Sequence, residues 1–344
     1  YNTEHDVHLI DEEPIYGSEN AGDDFRDKDG FPWGLLVPPG PEDEGGWKNP
    51  DEGVRIEEPY PRFTRWRESG GELSPDWYLY NTPWEPPQSD FLLFASDRDG
   101  DMEIYMVDLD TDTLTKLTDN DSADKHPAVS PDGSKIAFVS NRSGSWGIHT
   151  MNADGTGVSG VLDTLINTAD GHPSWSPDGS KIAYDNNFEI LTMNSDGTGI
   201  VNLTNTLFVN DAYPEWSPDG TSIVYSSNAD GDYEIFTMPS DGSGTANRIT
   251  NNTVKDWQAT YSPDGTEIAF VSNSSSNFDI FTVQVSDLAL NLLLETPEDE
   301  SDPSWSDNGI AFVRDNDVFT MEPGTAGSEI NMTNHSAADL DPAW

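Results

Sequence analysis

The chain has 344 residues, of which 64 are acidic and 16 basic, giving a formal net charge of −48. Such a surface repels nucleic acid and anionic membranes and collects cations, calcium among them, and no apolar run of about 18 residues is present to span a bilayer. Cysteine is absent, which removes disulfides and thiol chemistry, while eleven Trp, eleven Tyr and fourteen Phe supply apolar area to bury despite a hydrophobic content of only 34%.

The first ninety residues are dense in Pro, Gly and acids, and they begin at Tyr1 without Met or a signal peptide, as a processed or partial chain would. "DVHLI" (6–10), "FPWGLLVP" (31–38) and "DWYLYN" (76–81) predict strands. "PRFTRWRESGG" (61–71) predicts a short helix, with Pro61 near its start, Gly70 and Gly71 at its end, and Tyr60, Phe63 and Trp66 on one face. The two histidines of "EHDVH" (4–8) lack the spacing of a helical zinc motif. The order of these segments resembles the closing portion of LruC-type domains, which are bacterial surface modules. Three strands and one helix bury little core alone. This arm is therefore expected to dock on the rest of its own chain or to add strands to another one. Head-to-tail addition would build an open filament.

From residue 91 the grammar changes to a repeat. Pro-x-aromatic-Ser-Pro-Asp-Gly recurs as "PAVSPDG" at 127, "PSWSPDG" at 173, "PEWSPDG" at 214, "ATYSPDG" at 259 and "PSWSDNG" at 303, with "PAW" at 342–344. The spacings are 46, 41, 45, 44 and 39 residues. Each unit continues with an apolar run such as Ile136-Ala137-Phe138-Val139, a second such as "EIFTM" (234–238), and a weaker one such as "VNLT" (201–204). Four short strands per unit predict one four-stranded antiparallel sheet each. Ser-Pro-Asp-Gly is a tight turn, Pro fixing φ at its first corner and Gly accepting a positive φ. The last leading strand lacks companions, and the first three strands, at 91–118, lack a leader. The expected fold is all-β: a six-bladed propeller over 91–344, closed by pairing the C-terminal strand with residues 91–118, behind an N-terminal arm of residues 1–90.

"SWSPDGSKIAY", "SDRDGDMEIYMVD" and "MNADGTG" resemble the repeats of the TolB-like propeller family over about 91–344. The resemblance implies the fold far more firmly than a function, since propellers host unrelated activities. The family's best-known member works in the cell envelope through an added N-terminal domain that residues 1–90 do not resemble.

Several residues are candidates for a site. An acid stands three positions before the Pro, or Ala259, of every repeat: Asp124, Asp170, Asp211, Asp256, Glu300 and Asp339. Leading strands line a propeller's channel, so these six are expected to ring one mouth, either as a cation site or as caps for their own loop amides. The second role is favoured, because the acid belongs to the repeat itself. Asp97, Asp99, Asp101 and Glu103, and Asp230, Asp232 and Glu234, alternate around Gly turns as calcium ligands do, but neither set completes an EF-hand loop and solvated hairpin tips are the favoured reading. His126 and His172 share a repeat position and read as loop residues. Asn120, Asn141, Asn202, Asn251, Asn273, Asn331 and Asn334 stand in Asn-x-Ser/Thr and are candidate glycan acceptors.

No Gly-x-Ser-x-Gly elbow, cysteine nucleophile, P-loop or dinucleotide turn is present. The sequence therefore favours a non-enzymatic extracellular or cell-surface protein of the bacterial envelope. It would work in assembly or adhesion, self-associating through its arm or binding another surface protein. The alternative is a ligand-binding or glycan-processing enzyme using the channel mouth.

Overall fold

Six four-stranded antiparallel sheets hold 24 of the 26 strands among the described residues. The structure, a computed structural model, describes residues 47–48, 55–56, 91–160, 162–164, 171–275, 277–325 and 327–344. The chain divides into two units, Tyr1–Glu85 and Pro86–Trp344. Within the first, Trp47–Lys48 pairs with Arg55–Ile56. The strands expected at 6–10, 31–38 and 76–81, the helix expected at 61–71 and the "EHDVH" histidines lie outside the described residues.

In the second unit, blades 1 to 5 run in chain order, and their first strands include Asp124–Val129, Ser174–Trp175, Asp211–Trp216, Asp256–Tyr261 and Glu300–Ser306. Blade 6 is composite. Its first strand, Asp339–Ala343, pairs with Phe91–Ser96, which is followed by Glu103–Asp108 and Thr113–Lys116. The register is Asp339 to Ser96, Leu340 to Ala95 and Ala343 to Leu93, so the closing strand starts three residues earlier than the truncated "PAW" suggests.

The second strand of each blade is apolar along most of its length because it is covered on both faces. Ile136, Ala137, Phe138 and Val139 are wholly buried, as are Leu92, Leu93, Phe94 and Ala95. Neighbouring blades share the resulting cores: Leu93, Ala95 and Ile104 of blade 6 pack with Ile136, Phe138 and Met151 of blade 1. Between second and third strands an aromatic pair recurs, as in Phe94–Tyr105 at 5.9 Å and Phe312–Phe319 at 5.7 Å between ring centroids. The arginine of the adjoining hairpin covers it: Arg98 lies 4.8 Å from the Tyr105 ring and Arg314 lies 4.9 Å from Phe319. The Ser-Pro-Asp-Gly turns hold as expected. Asp178 accepts from Ser176 and Ser180, and these bonds bring its carboxyl down to about 2.

The first strands carry a proline that a regular sheet would reject. In blades 1, 3, 5 and 6 the register slips at that proline, and in blade 4 at Ala259. Two first-strand residues there face one on the second strand, a β-bulge that needs no N–H from Pro. The residue before each slip takes a left-handed φ: His126 at 47°, Tyr213 at 56°, Gln258 at 52°, Asp302 at 52° and Asp341 at 54°.

Candidate functional site

The bulge residues converge. With His172 of blade 2, they line one end of a cavity of about 430 Å³ on the propeller axis. His126 Nδ1 lies 3.0 Å from Asp341 Oδ1, and His172 Nδ1 lies 2.7 Å from Asp185 Oδ1. The two imidazoles are 4.3 Å apart, and the Tyr213 ring is 3.9 Å from His172. The Gln258 amide donates to Asp302, whose own N–H is bound by the Gln258 carbonyl oxygen at 3.2 Å, while the Ser301 hydroxyl donates to its other oxygen at 2.8 Å. Deeper in the cavity the walls become Pro and Trp, with Trp175, Trp305 and Trp344 among them.

The electrostatics of this end are uneven. Burial and the charge of Asp341 push Asp302 up to about 6. Burial acts upward on Asp341 as well, but its contacts with His126 and the charge of His172 hold it below the ordinary aspartate range. Below the mouth, burial pushes Glu215 up to about 7, against hydrogen bonds from Tyr261 N and Thr260. Titrating groups gathered in one cavity mark a site better than any single one of them.

The expected ring of acids is elsewhere. Asp124, Asp211, Asp256, Glu300 and Asp339 are buried in the blades and are not among the residues lining the cavity. Asp170 lies outside the described residues. Arg142 donates to Asp124 at 2.6 Å, Arg98 to Asp339 at 2.9 Å and Arg314 to Glu300 at 2.9 Å. Asn252 donates to Asp256 at 2.6 Å and Thr206 to Asp211 at 3.1 Å. These acids hold the hairpins and loops together, a buried use of charge that needs a partner for each.

The two alternating acid sets do not converge as calcium ligands either. Asp97 accepts from Ala338 N, Asp99 from Tyr105 and Lys116, and buried Glu103 from Asn120. Asp230 pairs with Arg248, and Glu234 binds Arg248, Thr250 and the N–H of Asn252. Asp101 and Asp232 each bury one carboxylate oxygen. Among the described residues no three His, Asp or Glu side chains gather as metal ligands do. Glu234→Ala is expected to destabilise the protein by about 3 kcal/mol, because it removes the buried acceptor of Thr250, Asn252 N and Arg248. Urea titration by tryptophan fluorescence measures it, and a change below about 1 kcal/mol contradicts this role.

Of the candidate glycan acceptors, Asn120 donates to Glu103 and Asp124, and Asn331 donates to Asp317, so a glycan on either amide would break internal bonds. Asn141 accepts from Ala123 N. Asn202, Asn251, Asn273 and Asn334 are exposed.

Around the mouth, the chain direction sets which loops surround the site. First strands begin at this end, so the loops that enter them and the hairpins joining second to third strands crowd it. They carry exposed apolar side chains: Phe188, Leu207 and Phe208, the last fully exposed. Asp211 N bonds to Phe188 O at 3.0 Å, which ties the hairpin of blade 2 to the entry of blade 3.

The signature of the TolB β-propeller domain matches residues 78–187 and 164–344. The chain belongs to the TolB β-propeller family. A second signature, a domain of unknown function (DUF4842), matches residues 4–78. The TolB homolog of Chlorobaculum tepidum is 41% identical over 69 residues, 20% of this chain and 16% of that protein. The homolog of Chlorobium luteolum is 39% identical over 70 residues, again 20% and 16%. The matched stretch thus spans about a sixth of the length of these curated relatives. The crystal structure of TolB from Acinetobacter baumannii superposes with a TM-score of 0.63 at 23% identity, covering 86% of this chain and 77% of that one. That likeness establishes the TolB fold and leaves the cavity's chemistry to its own residues.

Proposed function

We propose that this is a non-catalytic protein of the bacterial envelope or cell surface that recognises another macromolecule through the channel end of its TolB-like propeller. The observation that carries this reading is convergence. One end of the propeller combines the axial cavity, a ring of six side chains of four kinds and the exposed Phe188, Leu207 and Phe208. Apolar side chains rimmed by polar ones are the usual make-up of a protein-binding patch. Membership of the TolB family supports the envelope setting. The first ninety residues, similar in order to the closing part of LruC-type surface domains, link one copy to a neighbour or to another surface protein. Calcium screens the acidic surface where copies meet.

A photo-crosslinking amino acid at position 208, compared with one at exposed Asp154 on the opposite end, tests the recognition face in the native host. Discrete adducts from position 208 alone are expected. Equal labelling from both ends, or none from 208, contradicts the reading. Electron microscopy of the purified full chain tests the linking role, which a monodisperse monomer would remove.

A further inference from the structure

The mouth has two unlike halves, and together they describe what it selects. On one side a track of rings crosses blades 1 to 4. It runs from His126 to His172 and Tyr213, then to Trp257 at 5.7 Å and on to Phe278 at 5.8 Å. On the other side stand Gln258, Asp302 and Asp341. Four arginines, Arg98, Arg142, Arg248 and Arg314, face acids of the blades and hairpins. Among the described residues, no Lys or Arg pairs with Asp302 or Asp341. The track itself is already a cation platform, for Lys255 Nζ sits 2.9 Å from the Trp257 ring centroid, with Tyr233 at 5.2 Å and Phe278 at 5.8 Å.

We propose that the channel mouth receives an arginine side chain from an extended segment of a partner protein, with its guanidinium between the ring track and the Asp302–Asp341 side. This rests on the reading of the channel end as a recognition surface. A guanidinium matches both halves: its flat face stacks on aromatic and imidazole rings, while its fork of N–H donors meets carboxylates two at a time. An ammonium offers only the charge. A cavity of about 430 Å³, lined by Tyr213 among others, admits such a side chain, and Trp257 continues the track 5.7 Å from the Tyr213 ring. The net charge of −48 steers a basic segment toward any face of the molecule, and the mouth gives it a seat.

Calorimetry of the full chain with two peptides tests this, acetyl-Gly-Phe-Arg-Phe-Gly-amide and its citrulline counterpart, which keeps the shape and loses the charge. The arginine peptide is expected to bind about tenfold more tightly. The preference vanishes in Asp302→Asn and shrinks as pH falls from 8 to 5, because Asp302, at about 6, takes up a proton. Asp341, His126 and His172 are the other charged or titrating groups that face it. Tyr213→Leu weakens both peptides, the arginine one more, because only its charge gains from the ring face. Equal affinity for the two peptides, measured on the unaltered protein, overturns the proposal whatever the variants do to folding. Adducts at position 208 without arginine preference leave the recognition face standing and remove arginine. Arginine preference without adducts removes the partner, and this proposal with it.

Discussion

A chain ending at Ala338 is expected to lose cooperative folding. Deleting Asp339–Trp344 removes the first strand of blade 6 and its pairing with Ser96, Ala95 and Leu93. Arg98 then loses the buried carboxylate 2.9 Å away, and Ser304 O loses its bond from Trp344 Nε1. Leu92, Leu93 and Phe94, now wholly buried, lose their cover along the axis. The lost apolar burial and the stranded guanidinium together cost about 5 kcal/mol or more, comparable with the whole stability of many domains. A circular-dichroism melt measures this: the full chain should give a single sigmoid and the shortened one a broad or absent transition. A shortened chain melting within about 5 °C of the full one would show that closure contributes little.

Acidification should stabilise the protein before it destabilises it. Burial pushes Glu103 and Glu215 up to about 7 and Asp256 and Asp302 to about 6, and it raises Asp211 and Glu300 as well. In the unfolded chain such carboxyls titrate near 4. Between pH 4 and 7 the folded state therefore binds more protons, and stability is lost as pH rises through the folded values. Self-repulsion among 64 acids acts in the same direction. The turn aspartates oppose this. Asp132, Asp178, Asp219 and Asp264 are held low by their serine, threonine and backbone donors, so the stability they contribute is lost as pH falls below about 4. The maximum is expected between pH 4 and 5. Melting at pH 5 should exceed that at pH 8 by about 10 °C, equivalent to ~3–5 kcal/mol after solvent screening. A flat or falling melting temperature between pH 8 and 5 would contradict the assigned shifts.

The propeller was legible because its pattern is physical. Apolar second strands, Asp-Gly turns and a leading strand without companions leave few arrangements but a closed ring of six. The site was less legible, for a reason that residues 124–127 illustrate. The acid at 124 recurs in every unit and invites a function, yet in the described blades it anchors hairpins and loops, as Asp124 does for Arg142 and Asn120. Two residues on, the repeat changes identity from blade to blade, through His, His, Tyr, Gln, Asp and Asp, and these face the cavity. No local pattern around His126 or His172 announces that an imidazole will meet Asp341 across the ring closure. Their signal was variation at a fixed place in a constant frame.

The left-handed turn of the chain just before each register slip has an evolutionary consequence. It lifts one residue out of the pleat, so that residue's identity is not dictated by strand pairing or by the cores between blades. The propeller thus offers interchangeable sockets around a shared space, at least five of them built the same way. Substitutions there can change the lining of the shared space one socket at a time while the walls stay as they are.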